Sequence, residues 1–212
     1  MYEAHPSQEL NARFAHKPYQ GVEPLKATFL FIGLDANYAP DLERSSSFQN
    51  VLEYHQDGIA FWHCHGVHHP FLLPEYRGDG RRYHRTFARI GFTPTHAHLV
   101  SFAELLHVPT VGRSKLTPQD LDSLHLRRLN EAILQGNPKH VFLSAGVARL
   151  MRASKAFPWL PKEAGVSGPL RILYTEPTRT VYSHLHFSNY GKFQKQLEEE
   201  AIAIAALLPT GV

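Results

Sequence analysis

The sequence predicts a single α/β domain: a three-layer α/β/α sandwich around a central, mostly parallel sheet of about four strands. Three observations lead there. Phe29-Leu30-Phe31-Ile32 is a continuous apolar run without alternation, the pattern of a strand buried on both faces. Val141-Phe142-Leu143 repeats that pattern. Between and after them, strand-like and helix-like segments alternate, which favours parallel strands joined by helices that cover both faces. No linker or shift in composition divides the 212 residues, so 1–212 is read as one domain.

In chain order, residues 1–26 read as a leading helix or irregular arm that ends at the breakers Gly21 and Pro24. The first buried strand stops at Gly33. Asp41 to Tyr54 is expected to be helical, with Ser45, Ser46 or Ser47 as its cap. Gly58 to Phe71 is an unusual histidine-rich stretch, read as a loop, and Tyr83 to Ile90 has helical spacing with Tyr83, Phe87 and Ile90 on one side. His96 to Phe102 is the second expected strand, and Leu105 to Leu116 a loop. Thr117-Pro118-Gln119-Asp120 has the Thr cap, first-turn proline and acidic residue of a helix start. That helix is expected to run through Leu121, Leu124, Leu129 and Ile133 to Gly136. Val141 to Leu143 is the third strand, followed by a helix from Val147 to Met151. Arg171 to Tyr174 and Thr180 to His184 are two further strands, and Asn189 to Leu208 is the final helix.

Composition narrows the chemistry. The hydrophobic fraction is 43% and no run approaches the length of a membrane span, so a cytoplasmic, membrane-free protein is expected. A monomer is expected as well. The single cysteine, Cys64, excludes an internal disulfide and a four-cysteine iron–sulfur cluster. Net charge is only +3, but Arg77, Arg81, Arg82, Arg85 and Arg89 fall close together. Such a cluster suits phosphate contacts or simply a solvated helix face.

The loop after Gly33 draws the functional reading, because ligands in open α/β sheets bind outside the carboxyl ends of the strands. It carries Asp35, Asn37 and Tyr38 before the rigid Pro40. Asp35 is the first candidate for a catalytic group; its alternative role is to cap a turn or helix start.

Gly33-Leu34-Asp35-Ala36-Asn37-Tyr38-Ala39-Pro40 resembles the first motif of the uracil-DNA glycosylase superfamily, Gly-Gln-Asp-Pro-Tyr-His in its best-known branch. Arg81-Arg-Tyr-His-Arg-Thr-Phe-Ala-Arg-Ile-Gly-Phe92 is similar to the helix that follows the stacking aromatic in the mismatch-specific branch. By that register Phe71 takes the place of the stacking phenylalanine. Phe48, 13 residues beyond Asp35, is its rival by the spacing of other branches. The family's second strand ends in an asparagine that reads the pyrimidine edge, and that place falls on Ser101, which cannot make the amide's bidentate contact. Glu104 lies nearby, but an ionised carboxylate would repel uracil's carbonyl oxygens, so it is assigned no role. Ser183-His184-Leu-His-Phe-Ser-Asn-Tyr-Gly-Lys192 lies where the family has its second motif, without the family's prolines.

The resemblance implies uracil excision from single- or double-stranded DNA, with free uracil as a product and neither metal nor cofactor. Asp35 would position water and stabilise the cationic sugar. His184, with His186 as second choice, would donate to the departing base. Gly33 and Leu34 would line the base site, and Tyr38 would crowd the pyrimidine C5 position. Ser188, Tyr190 and Lys192 would meet DNA.

Two other readings stay open. His63-Cys-His65-Gly-Val-His68-His69 has the His-x-His-x-x-His spacing of metallo-β-lactamase-like hydrolases, and crowded imidazoles bind zinc. The carboxylate such enzymes place before the third histidine is Val67 here. A non-catalytic DNA-binding member of the fold is the other alternative, kept open by the missing asparagine.

Overall fold

The computed structural model describes residues 1–112, 115–161 and 168–209. The chain opens with a two-residue strand β1 (Glu3–Ala4) and helix α1 (Gln8–His16), whose start is capped by the Ser7 hydroxyl accepting from the Leu10 amide. Strands β2 (Tyr19–Gly21), β3 (Phe29–Gly33) and β4 (Asn37–Tyr38) follow. Helices α2 (Phe48–Gln56), α3 (Gly58–His65) and α4 (Arg81–Ala88) lead to β5 (Val100–Glu104) and β6 (Thr110–Val111). Then come α5 (Ser123–Gln135), β7 (His140–Ser144), α6 (Ala145–Ser154), the hairpin β8 (Arg171–Glu176) and β9 (Arg179–His184), and α7 (Gln194–Ala205).

The main sheet has six strands in the order β2-β5-β3-β7-β9-β8. The inner four are parallel, as alternation predicts, and β2 and β8 pair antiparallel at the two edges. Four strands was therefore too few. The Glu176-Pro177-Thr178 turn is too short for a crossover, so β8 can pair with β9 only as a hairpin. Tyr19–Gly21, inside the expected arm, extends the sheet at the other edge. A second, three-stranded sheet, β1-β6-β4, ties the N-terminus to the loops after β3 and β5.

Period-two alternation in β3 and β7 feeds two cores. Leu30, Ile32, Val141 and Leu143 pack with Leu129 and Ile133 of α5 and with Val147 and Met151 of α6. Phe29, Phe31 and Phe142 pack with Trp62 of α3, Phe87 of α4 and Leu197 and Ile204 of α7. Phe31 stacks on Phe142 with centroids 4.6 Å apart. Burying each such side chain contributes about 1.5–3 kcal/mol, which explains strands apolar on both faces.

Several boundaries differ from expectation, among them the second strand, which runs Val100–Glu104, and the final helix, which begins at Gln194. The histidine-rich stretch begins as a helix because the Asp57 carboxylate accepts from the amides of Ile59 and Ala60, and it ends at Gly66 in a left-handed conformation. Thr117-Pro118 starts only a 3-10 turn, with α5 capped separately by Asp122. Asp41 likewise starts a 3-10 turn, and α2 begins at Phe48. Of the expected Leu105–Leu116 loop, residues 113–114 lie outside the described residues and Thr110–Val111 is a strand. Among the described residues no helix is long and apolar enough to cross a membrane.

Candidate functional site

Parallel pairing places Gly33 opposite Glu104, and the amides of Leu105 and Leu106 donate to the carbonyls of Gly33 and Leu34, at 3.0 Å each. The two loops leaving β3 and β5 are thereby zipped together beyond the sheet. At their far end Thr110 donates through Oγ1 to Asp35 Oδ2 at 2.6 Å, while Asn37 Nδ2 donates to the same hydroxyl at 3.1 Å. The Asn37 amide also donates to the Gly112 carbonyl. The hydroxyl thus has its acceptor role filled and its proton committed to Asp35, which fixes the carboxylate's direction.

Above this loop lies a cavity of about 230 Å³. Its floor is Gly33, Leu34, Asp35 and Glu104, and its walls include Tyr38, Phe71, Tyr83 and His84. The walls are braced from behind. Tyr38 Oη shares a 2.6 Å hydrogen bond with Nε2 of the buried His55, whose Nδ1 meets the Gln20 amide. Phe71 stacks on Tyr76 at 4.1 Å and stands edge-on to Tyr38 at 5.7 Å. His84 lies parallel to His69 at 3.5 Å and shares a 3.2 Å hydrogen bond with His68.

Burial sets the ionisation of these groups. Desolvation holds His55 and His68 at about 3, and keeps His69 and His84, which also repel one another, well below the ordinary imidazole range. They are neutral at pH 7. Desolvation, with Asp35 nearby, pushes Glu104 up to about 8. Its Oε2 is buried without a hydrogen-bond partner among the described residues.

His186 completes the cavity lining. The Ser188 amide donates to its Nδ1 at 3.3 Å, and the Ser188 hydroxyl lies 2.6 Å from the same atom. An imidazole nitrogen that accepts carries no proton, so the neutral ring bears its N–H at Nε2. Burial lowers its basicity and Asp35 opposes that shift.

The sequence-derived residues divide clearly. Gly33, Leu34, Asp35, Tyr38, Phe71 and His186 line one cavity. Phe48 does not; it is buried in the apolar cluster that also holds Leu10, Phe14 and Phe71, outside the lining. Ser101 does not either, because it sits mid-strand opposite Leu30 and is fully buried, whereas the strand continues to Glu104. His184, the first choice for the donor, pairs in register with Ser144 and is buried against Phe187, its Nδ1 donating to the Leu185 carbonyl at 2.6 Å. The residue that clears the sheet is His186, two positions on. Ser188, Tyr190 and Lys192 are exposed, and Arg82 of α4 lies over the Tyr190 ring at 4.4 Å.

The four histidines of the zinc reading do not converge. His63 is exposed, His65 faces Glu53 with Nε2 3.1 Å from both carboxylate oxygens, and His68 and His69 turn inward toward His84. His63 and His65 lie in the last turn of α3, whereas His68 and His69 follow beyond its Gly66 end. Among the described residues the only group able to hold a metal is Glu53, Cys64 and His65, outside the cavity lining. Glu104, Thr110, Tyr83 and His84 went unassigned from the sequence, His69 entered only the zinc reading, and only Glu104, at a strand end opposite the Gly33 motif, carried a usable signal. No protein-family model matches this chain, and no curated protein matches it.

Proposed function

We propose that this chain is a DNA glycosylase that flips a uracil-type base out of single- or double-stranded DNA and hydrolyses its N-glycosidic bond, leaving an abasic site. The observation that carries the reading is the meeting of Asp35 and His186 at one aromatic-walled cavity at the carboxyl end of the central strand. At about 230 Å³ the cavity is smaller than the roughly 300–1,000 Å³ of drug-sized sites, and suits a single flat ring. The inner strand order β5-β3-β7-β9, with the first parallel strand inside, supports the three-layer glycosylase-like architecture that the resemblance implies.

In this mechanism the base enters the cavity beside Phe71, whose other face is held by Tyr76. As the bond from C1′ to the base nitrogen lengthens, the bonding pair leaves with the base. The Nε2–H of His186 donates to the base carbonyl where negative charge grows. Asp35, oriented by Thr110, stabilises the cationic sugar and aligns the water whose oxygen adds to C1′. The water gives up one proton to solvent as its oxygen bonds to C1′, and the released base takes one proton from solvent. Arg82 and Tyr190 are placed to meet the flanking phosphates and bases. No step needs a metal or cofactor.

The test is release of base from an end-labelled oligonucleotide containing one uracil, in EDTA, with wild type and Asp35→Asn. Excision by the wild type, reduced at least about tenfold in the variant, is the expected result. Binding without excision would leave only a DNA-binding role and overturn the enzymatic reading.

A further inference from the structure

Glu104 is the least expected residue of the cavity. It ends β5, lines the floor beside Asp35, and packs its carboxyl against the bare backbone of Gly33, where a side chain at 33 would collide with it. One of its oxygens is buried with no partner among the described residues, so the cavity holds a polar group awaiting a ligand. Among the described residues no lysine or arginine lines the cavity. The described groups that face the carboxyl are Asp35 from the β3 loop, Tyr38 of β4, Tyr54 of α2 and Tyr83 of α4, each acidic or neutral. His69, His84 and His186 share the cavity, and burial lowers the basicity of all three. On the far side, His125 Nε2 bonds the backbone carbonyl of Glu104, not its carboxyl.

We propose that Glu104 is the specificity-determining residue of the site, reading the base edge as a neutral carboxylic acid: its C=O accepts from a ring N–H and its O–H donates to the adjacent ring C=O. This rests on the base-excision reading above and deepens it. A carboxylic acid presents one donor and one acceptor side by side, the pattern of an amide, and complements the lactam edge of uracil, thymine, hypoxanthine or guanine. Carrying its proton on the other oxygen, the same acid also pairs with the neutral cytosine edge, so what it requires is a ring edge that offers one donor and one acceptor side by side. The substrate class is therefore bases with that edge unblocked, uracil among them. Ionisation turns the donor into a second acceptor facing a carbonyl oxygen, which abolishes the match.

The test is ligand-observed NMR titration of the whole chain with free uracil and 3-methyluracil, using wild type, Glu104→Gln and Glu104→Ala. Wild type is expected to bind uracil at about pH 6.5 and not 3-methyluracil. With the carboxyl at about 8, only about one-tenth is neutral at about pH 9, so uracil affinity falls about tenfold over and above any change in the base itself. Glu104→Gln keeps the donor–acceptor pair at every pH and controls for ionisation of uracil. It should bind uracil with no such additional fall, whereas Glu104→Ala loses at least about fivefold at both pH values. No uracil binding by wild type, equal binding of 3-methyluracil, equal pH dependence in wild type and Glu104→Gln, or undiminished binding by Glu104→Ala would each overturn the inference. The two proposals separate cleanly. Uracil binding with this pattern but no excision from DNA retains the inference and sinks the glycosylase; excision by Glu104→Ala at the wild-type rate does the reverse.

Discussion

Gly33 and Glu104 stand opposite one another in register across β3 and β5, and the Glu104 carboxyl occupies the space where a side chain at position 33 would begin. The glycine is required by that close approach rather than by an unusual backbone angle, since it is not among the positive-φ glycines. Gly33→Ala should therefore displace the carboxyl, cost about 1–3 kcal/mol by overpacking, and weaken uracil binding. Urea denaturation and the NMR titration check the two effects separately. An alanine variant of full stability and affinity would show that Glu104 is free to move.

Thr110 commits its only proton to Asp35. Thr110→Val keeps the shape of the side chain but removes that hydrogen bond, and should lower excision by about five- to twentyfold while leaving the fold intact. Thr110→Val in the Asp35→Asn background should add little further loss, because Thr110 acts through the Asp35 carboxylate. Single-turnover kinetics on the uracil oligonucleotide measure both.

His186 and His184 are separated by one residue but have different surroundings. His186→Ala should reduce the excision rate about a hundredfold with little change in melting temperature. His184→Gln, which disturbs a buried ring against Phe187, should lower the melting temperature and leave the rate within about twofold. The opposite pattern would return the donor role to His184.

Two pH windows of stability follow from burial. His55 and His68 at about 3, and His184 at about 4, stay neutral in the fold, whereas the unfolded chain takes up protons below about 6.5. The native state thus binds fewer protons, and stability is lost progressively as pH falls from 6.5 toward 4. Glu104 acts in the other sense. Its native form keeps a proton up to about 8 while the unfolded carboxyl loses it near 4.5, so its contribution weakens stability as pH rises through that range. Urea midpoints should fall between about pH 7 and about pH 5, and the decline above about pH 5 attributable to Glu104 should vanish in Glu104→Gln.

Arg82 lies over the exposed ring of Tyr190 on the face beside His186. Arg82→Ala should weaken DNA binding and reduce the slope of log affinity against log salt by about one. Tyr190→Ala should weaken binding with an unchanged slope, since a stacking ring neutralises no phosphate. Fluorescence anisotropy at several salt concentrations distinguishes them.

Much of the architecture was legible because it follows from local chemistry. The runs at Phe29 and Val141 are apolar at every position, short and stopped by Gly33 and Gly146, the combination a strand covered on both faces uses. Asp35 was legible because a carboxylate directly after the central strand is carried to the ligand-binding edge whatever the loops do. The edge strands were not, since Tyr19–Gly21 is three residues long and becomes a strand only by pairing with β5. The same holds for the choice between Phe48 and Phe71: both are buried aromatics of one apolar cluster, and only the tertiary packing decides that Phe71 lines the cavity and Phe48 does not.

By itself, then, the sequence determined the alternation of strands and helices, the two-faced burial of the parallel strands and the position of Asp35, because each depends on residues near one another in the chain. The tertiary structure alone decided that His186 rather than His184 reaches the cavity, that the histidine-rich stretch splits between surface and interior, and that the half-buried Glu104 sets a buried carboxyl oxygen against Gly33. Those outcomes depend on register between strands distant in sequence, and on the removal of water from a carboxyl whose own neighbours in the chain give no sign of it.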